Sequence, residues 1–166
     1  GGLCQIGTTM FRATLDSGLP VTVRQNHSYR VSYYEPAGTD ATIYNPAPDY
    51  RFLNDTGVAI LIQTKIIGDE LRFEFWGKKD GRTMWYEGQQ ASANFYDIKP
   101  KIYNQVSPPP TKLIESVDIP VGTKKCTERA HVGATTDFTY QIKYPDGKTY
   151  EKQFTSYYRP WQEVCL

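Results

Sequence analysis

Three residues near the start of this 166-residue chain have the types and the order of a thiol acyl-transfer site. Cys4 follows a Gly-Gly pair at the predicted start of a helix, His27 lies on a predicted strand, and Asp40 lies on the next one. A helix N-terminus and a neighbouring imidazolium both lower the pKa of a thiol and favour the reactive thiolate. A carboxylate can orient the imidazole through its other nitrogen. The pattern therefore predicts a Cys-His-Asp site in which the thiolate attacks a carbonyl carbon.

Neighbouring polar residues could complete this site, but each also has an ordinary explanation. Gln5 could donate its side-chain amide to an oxyanion, or it could be a solvated residue of the first helical turn. Arg24 and Arg30 flank His27 and could bind a substrate carboxylate through paired N–H groups, or they could be solvated strand residues. A cysteine near a helix start and a lone histidine in a β region are both common structural features. The order of the three residues, rather than any one of them, carries the prediction.

One segment has the period of an amphipathic helix, and the rest of the chain is rich in β signals. From Gln5 to Asp16 apolar residues recur at i, i+4 and i+7, and Gly18 with Pro20 ends the pattern. The following segments alternate or are rich in β-branched and aromatic residues, and Gly, Asn and Asp turns separate them. The predicted strands are residues 21–23, 29–34, 41–44, 58–67, 71–76, 136–144 and 149–158.

The proline run Ser107-Pro108-Pro109-Pro110 is the predicted domain boundary, since consecutive prolines favour an extended segment over packed structure. Residues 1–106 are expected to form the first domain, and residues 111–166 a small β-rich module. The expected fold class is α+β, with one N-terminal helix packed on a β-rich domain and a small all-β module after it.

Composition narrows the range of partners. A formal net charge of +1 gives no electrostatic reason to bind nucleic acid or an anionic membrane. No apolar run approaches the roughly 18 residues of a membrane span, and no signal peptide is recognisable. A chain beginning Gly-Gly-Leu-Cys is expected to be part of a longer protein, so any membrane attachment would lie in upstream segments. No phosphate-binding loop or metal-ligand set is present in the sequence, so no cofactor and no metal are expected.

Three cysteines leave one unpaired if a disulfide forms. Cys126 and Cys165 bracket the last forty or so residues, whereas Cys4 stands alone near the start. The economical pairing joins Cys126 to Cys165, which implies an oxidising, extracytoplasmic location. The alternative is three reduced, buried thiols in a cytosolic protein.

Several stretches of the first 78 or so residues resemble the VanW family. They are Gly-Gly-Leu-Cys-Gln-Ile-Gly-Thr-Thr-Met-Phe at 1–11, His-Ser at 27–28, Tyr-Tyr at 33–34, Gly-Thr-Asp-Ala-Thr at 38–42 and Arg-Phe-Leu-Asn-Asp-Thr-Gly at 51–57. That family is named for an accessory gene of vancomycin-resistance clusters. The resemblance implies an exported bacterial cell-envelope protein, and it brings no established activity.

Two further resemblances concern the site and the tail. The order of helix-borne cysteine, histidine and aspartate resembles the core of the transglutaminase-like, papain-related fold, so the first domain is expected to be transglutaminase-like. The tail from Leu113 onward resembles the G5-like β modules that often follow VanW domains, through Tyr-Pro-Asp-Gly at 144–147 and Tyr-Tyr-Arg-Pro-Trp at 157–161.

Three classes of function remain open from the sequence. The first is a Cys-dependent hydrolase or a transpeptidase or transglutaminase-like acyltransferase that acts on peptide or peptidoglycan of the cell wall. The second is a non-catalytic cell-wall binding or scaffold module with a vestigial site. The third is an adhesin-like protein in which Cys4 forms an internal thioester or another covalent link.

Overall fold

The computed structural model describes residues 2–92 and 94–166, and within them one α-helix is followed by twelve short strands. Helix α1 spans Leu3–Asp16, two residues longer at its start than the sequence predicts. It begins after Gly2, whose φ of 98° only glycine adopts readily, and it ends before Gly18 at φ 68°. No helix in the described part of the chain has the length and apolar character that a membrane span needs.

The strands of the described residues form four separate sheets. The strand bounds are β1 Val21–Val23, β2 Arg51–Phe52, β3 Leu61–Ile67, β4 Glu70–Trp76, β5 Thr83–Tyr86, β6 Gln89–Gln90, β7 Lys101–Val106, β8 Lys112–Leu113, β9 Cys126–Glu128, β10 Gly133–Lys143, β11 Thr149–Tyr158 and β12 Val164–Cys165. The largest sheet has the order β11-β10-β5-β6, with β7 also paired to β10, and a three-stranded sheet has the order β8-β12-β9. Strands β1 and β2 form one two-stranded sheet, and β3 and β4 form another.

The predicted fold class is wrong. Strand accounts for 37% of the chain and helix for 12%, spread over several small sheets, and no transglutaminase-like fold is found. The largest sheet also joins strands from both sides of the proline run, because β10 pairs with β5 and β7 as well as with β11. The predicted arrangement failed because local patterns reveal the β10–β11 hairpin but carry no signal for the pairing of β10 with strands that lie about 30–60 residues earlier.

The core lies between α1 and the β10–β11 hairpin. Phe11 of the helix meets the Phe154 ring with centroids 5.2 Å apart, and Phe154 stacks on Phe138 at 5.1 Å. All three rings are at most 4% exposed. The hydroxyl of Tyr140 donates toward the carbonyls of Leu15 and Leu19 at the end of the helix, 3.3 Å from each. The helix that carries Cys4 is therefore seated on the C-terminal hairpin.

Two predicted strands are absent from the described structure, one that would begin just after His27 and one just after Asp40. Residues 29–34 contain a 3₁₀ turn at Ser32–Tyr34, and residues 41–44 are irregular. Side chains replace the strand pairing here, since Arg12 donates to the carbonyls of Tyr34 at 2.6 Å and Thr39 at 3.1 Å. His27 and Asp40 consequently lie on irregular segments held by side chains rather than on strands.

A disulfide joins Cys126 of β9 to Cys165 of β12, and Cys4 is the free cysteine of the chain. The bond lies within the three-stranded sheet, whose β8 strand pairs parallel with β12. It therefore fixes the end of the chain to the segment before β10.

Candidate functional site

Cys4 is the second residue of α1, at the end where the helix dipole is positive. Its half-buried Sγ lies 3.4 Å from Oγ1 of Thr42 and donates toward the carbonyl of Ile43 at 3.8 Å. The backbone N–H groups of Leu3 and Cys4 come too early in the helix to have an intrahelical acceptor. The thiol and the unpaired amides thus share one end of the helix. A carbonyl attacked by this thiol would need such amides to bind its oxyanion.

His27 is fixed by Asp40 and by an aromatic neighbour. Its Nδ1 lies 2.6 Å from Oδ2 of Asp40, and its backbone N–H donates to the same oxygen at 2.7 Å. The imidazole stacks on Tyr34 with centroids 4.9 Å apart and keeps 17% of its side-chain surface exposed. Because an ionised carboxylate only accepts, Nδ1 carries a proton, and Nε2 is the nitrogen available to a second partner.

Asp40 is a buried carboxylate with four donors. Besides the two from His27, it receives Nη2 of Arg24 at 3.2 Å and the hydroxyl of Tyr158, both on Oδ1. Arg24 is itself buried and also donates to the backbone carbonyls of Asp40 at 2.6 Å and Gly38 at 2.8 Å. Burial alone would raise the pKa of Asp40, but the His27 hydrogen bond, the Arg24 charge and the Tyr158 hydrogen bond hold it below its ordinary value. Asp40 is therefore ionised at neutral pH.

The same contacts shift the two groups that would exchange a proton. Burial opposes the charged form of His27, yet the hydrogen bond and charge of Asp40, with a smaller effect of Cys4, raise the pKa of the imidazole above its ordinary value. Burial likewise opposes the Cys4 thiolate, but the hydrogen bond with Thr42 and the interaction with His27 lower the pKa of the thiol. The opposite shifts favour a thiolate–imidazolium pair, the reactive state of thiol enzymes.

A cleft of about 560 Å³ adjoins this group of residues. Gly2 and Gln5, on either side of Cys4, line one wall together with Tyr34, which stacks on His27. Leu71 and Phe73 of strand β4 line the other. The cleft is thus bounded by a helix face and an apolar strand face, and Cys4, His27 and Asp40 are not among the residues that line it.

The remaining predicted site residues have different positions. Gln5 is exposed and lines the cleft, where an amide could reach a bound group. The guanidinium of Arg24 is enclosed, and its donors are directed at Asp40, Gly38 and Ser156. Arg30 pairs with Glu35 at 2.6 Å on the surface. In this structure Arg24 holds the carboxylate of Asp40, and the binding of a substrate carboxylate by Arg24 or Arg30 stays a prediction.

Sequence reasoning missed the residues that support the three. Thr42 could have been found, since it closes the Gly-Thr-Asp-Ala-Thr segment that contains Asp40. Tyr34 could also have been found within the Tyr-Tyr pair, although nothing in the pattern shows that it stacks on His27. Tyr158 carries no local signal, because it reaches Asp40 from 118 residues later in the chain.

The described residues include one group with metal-ligand geometry, Cys126, Glu163 and Cys165, whose ligand atoms lie within 4.8 Å of one another. Both sulfurs are joined in the disulfide, so neither is a thiolate that could bind a metal. The second histidine, His131, packs beside Tyr29 with centroids 4.8 Å apart and bridges to Trp161.

A Cys-His-Asp group on a mostly β chain defines the candidate as a thiol site, and sequence comparisons connect it with a family. Residues 1–76 match the family model described as "VanW like protein". A 71-residue segment is 39% identical to "Uncharacterized protein YoaR" of Bacillus subtilis (strain 168), covering 43% of this chain and 23% of that protein. Both matches support the VanW family for this part of the chain. The matched segment covers less than a quarter of that relative's length.

No solved structure matches the chain. The family match ends at residue 76, so the G5-like character of the tail stays a prediction.

Proposed function

We propose that this chain carries a thiol acyl-transfer site of a bacterial cell-envelope protein, with Cys4 as nucleophile, His27 as general base and acid, and Asp40 as the group that orients His27. The observation that carries the proposal is the 2.6 Å contact between Nδ1 of His27 and Oδ2 of Asp40, which fixes the ring and leaves Nε2 available to a second group. The opposite pKa shifts of the thiol and the imidazole support it.

The proposed reaction proceeds through a thioester. The Cys4 thiolate adds to the carbonyl carbon of an amide, and the oxyanion that forms accepts from the unpaired N–H groups at the helix start. The C–N bond then breaks, and the His27 imidazolium gives its proton to the departing amine. Water or a second amine next attacks the thioester, loses its proton to His27 and regenerates the thiolate. The first acceptor gives hydrolysis and the second gives transfer.

Peptide or peptidoglycan of the cell wall is the proposed substrate class. The cleft of about 560 Å³, with an apolar strand face and polar helix residues, is large enough for a short peptide segment. The disulfide and the VanW match support an extracytoplasmic location. A net charge of +1 offers no attraction to nucleic acid.

Alkylation of Cys4 tests the activated thiol directly, because the other two cysteines are joined in the disulfide. The rate of reaction with iodoacetamide, measured against pH, should exceed that of a model thiol near neutral pH. His27→Ala should lose most of this advantage, and Asp40→Asn should lose less, because the imidazole itself remains in that variant. His131→Ala is the matched control, since it removes the chain's other histidine and should leave the rate unchanged.

A second measurement separates catalysis from reactivity. Incubation of the protein with purified peptidoglycan should give a covalent mass increase on Cys4 that hydroxylamine removes and that Cys4→Ser abolishes. If Cys4 reacts no faster than a model thiol and no adduct forms, the catalytic proposal fails. Binding of peptidoglycan that survives Cys4→Ser would then indicate a non-catalytic cell-wall module.

A further inference from the structure

Tyr158, the last residue of β11, touches the proposed site from the far end of the chain. Its side chain is buried, with 2% of its surface exposed. The hydroxyl donates to Oδ1 of Asp40 and accepts the backbone N–H of Gly38 at 2.8 Å. One hydroxyl therefore bridges the carboxylate and the turn that carries it, and both of its hydrogen bonds lie away from solvent.

Ser156 contributes to the same contact from the same face of β11, since side chains two residues apart in a strand point to one side. Its fully buried Oγ accepts Nη1 of Arg24 at 2.7 Å, while Arg24 donates onward to Asp40. Tyr157, between the two, points the other way and is 61% exposed. Alternation along β11 thus directs two polar side chains toward Asp40 and one tyrosine to solvent.

The turn before Asp40 packs tightly on this hairpin. Gly38 has a φ of 85°, and a Cβ placed on it would lie 2.8 Å from Oγ1 of Thr136 on β10. Thr136 pairs with Ser156 across the hairpin. The backbone of the turn therefore rests directly on β10 and β11, so a shift of β11 would be transmitted to Asp40.

We propose that Tyr158 is a positioning residue of the thiol site, holding Oδ1 of Asp40 so that Oδ2 faces His27. This inference rests on the proposed function and extends it beyond the matched region, since the family match ends at residue 76. The β10–β11 hairpin is then part of the site rather than a separate module. The charged and titratable groups around Asp40 are His27, Arg24 and Tyr158, with Arg12 and Tyr34 close enough to interact with it.

Tyr158→Phe tests the inference, with Tyr157→Phe as the matched control on the opposite face of the same strand. The Tyr158 hydrogen bond stabilises the ionised form of Asp40, so its loss should move the acidic limb of the Cys4 alkylation profile to higher pH. The rate near neutral pH should fall severalfold. Tyr157→Phe should leave the acidic limb and the rate near neutral pH unchanged.

Proton NMR of His27 provides a readout that does not depend on thiol reactivity. The proton on Nδ1, held by a carboxylate, should give a downfield resonance that shifts in Tyr158→Phe and stays in Tyr157→Phe. If the proposed function fails, this resonance still reports whether Tyr158 positions the pair. Ser156→Ala keeps the tyrosine but removes an acceptor of Arg24, so it should shift the resonance by less and in the same direction. This variant replaces Tyr158→Phe in the test if Tyr158→Phe does not fold. A lowered melting temperature with the resonance and the acidic limb unmoved in both variants would overturn the inference.

Discussion

Oδ2 of Asp40 accepts two hydrogen bonds from a single residue, from the backbone N–H of His27 at 2.7 Å and from its Nδ1 at 2.6 Å. The first fixes the backbone of the loop and the second fixes the ring. Because both go to one oxygen, the position of the imidazole follows the position of the carboxylate. The other oxygen is then free to be held by Arg24 and Tyr158.

Removing the charge of Asp40 should destabilise the fold as well as the site. Asp40→Asn leaves the enclosed guanidinium of Arg24 without its counter-charge, and breaking a buried pair in this way typically costs about 3–5 kcal/mol. Urea denaturation monitored by circular dichroism measures the free energy of unfolding. Asp49→Asn, at an exposed carboxylate, should change it by less than about 0.5 kcal/mol. Equal effects of the two substitutions would contradict the role given to Asp40.

Stability should depend on pH through His27 and Asp40 in opposite directions. The pKa of His27 is raised in the folded state, so its contribution is complete below the ordinary value of 6.5 and is lost as pH rises through the folded pKa. The pKa of Asp40 is lowered, so its contribution is present above 3.8 and is lost as pH falls through the folded pKa. Burial raises the pKa of Asp16 to about 7, which also weakens the fold as pH rises from 3.8 toward 7. Denaturation of the wild type and of His27→Gln across this range gives the free energy of unfolding of each protein. The difference between the two values is the contribution of His27, and it should shrink above pH 6.5.

Truncation of the core should show that the helix depends on the C-terminal hairpin. Phe154→Ala removes a ring that contacts Phe11 and Phe138, and large-to-small changes of this kind typically cost about 3–5 kcal/mol in the free energy of unfolding. Tyr157→Ala, on the exposed face of the same strand, should change that free energy little.

Residues 1–106 expressed alone should likewise lack a stable α1. A fragment 1–106 that is helical and unfolds cooperatively would contradict the shared core.

Loss of the disulfide should lower stability without altering the thiol site. A closed loop with a sequence separation of 39 residues stabilises by about 3–4 kcal/mol in the chain-entropy estimate. Replacing Cys126 and Cys165 together by serine should reduce the free energy of unfolding by that order, measured by chemical denaturation. The alkylation rate of Cys4 should be unchanged while the protein remains folded. A large change in that rate would mean that the two parts of the molecule are more closely coupled than the contacts indicate.

The sequence predicted what depends on neighbours along the chain. The apolar period from Gln5 to Asp16 indicated α1, and the alternation on either side of the turn at residues 145–147 indicated the β10–β11 hairpin. It did not predict that β10 would also pair with β5 and β7, since strands distant in sequence leave no local pattern. The fold class was wrong for that reason.

Within the site, residue types were easier to foresee than their surroundings. Cys4, His27 and Asp40 are close in sequence and stand in a recognisable order. The sequence did not show that Arg24 holds Asp40, because arginine on a surface strand is common and its burial against Asp40 depends on Ser156, 132 residues away. The contact between Tyr158 and Asp40 depends in the same way on the packing of the whole hairpin.

The helix that bears Cys4 lacks a capping side chain. Gly2 occupies the N-cap position at a φ of 98°, whereas a serine or aspartate at an N-cap usually has an extended backbone, satisfies an N–H of the first turn and adds about 1 kcal/mol of stability. Such a side chain would bond the N–H of Cys4 or of Gln5, and the N–H of Cys4 is one of the donors that the proposed oxyanion would use. Helix stability and anion binding compete here for the same amides, so a substitution chosen to strengthen α1 at this end would close the site.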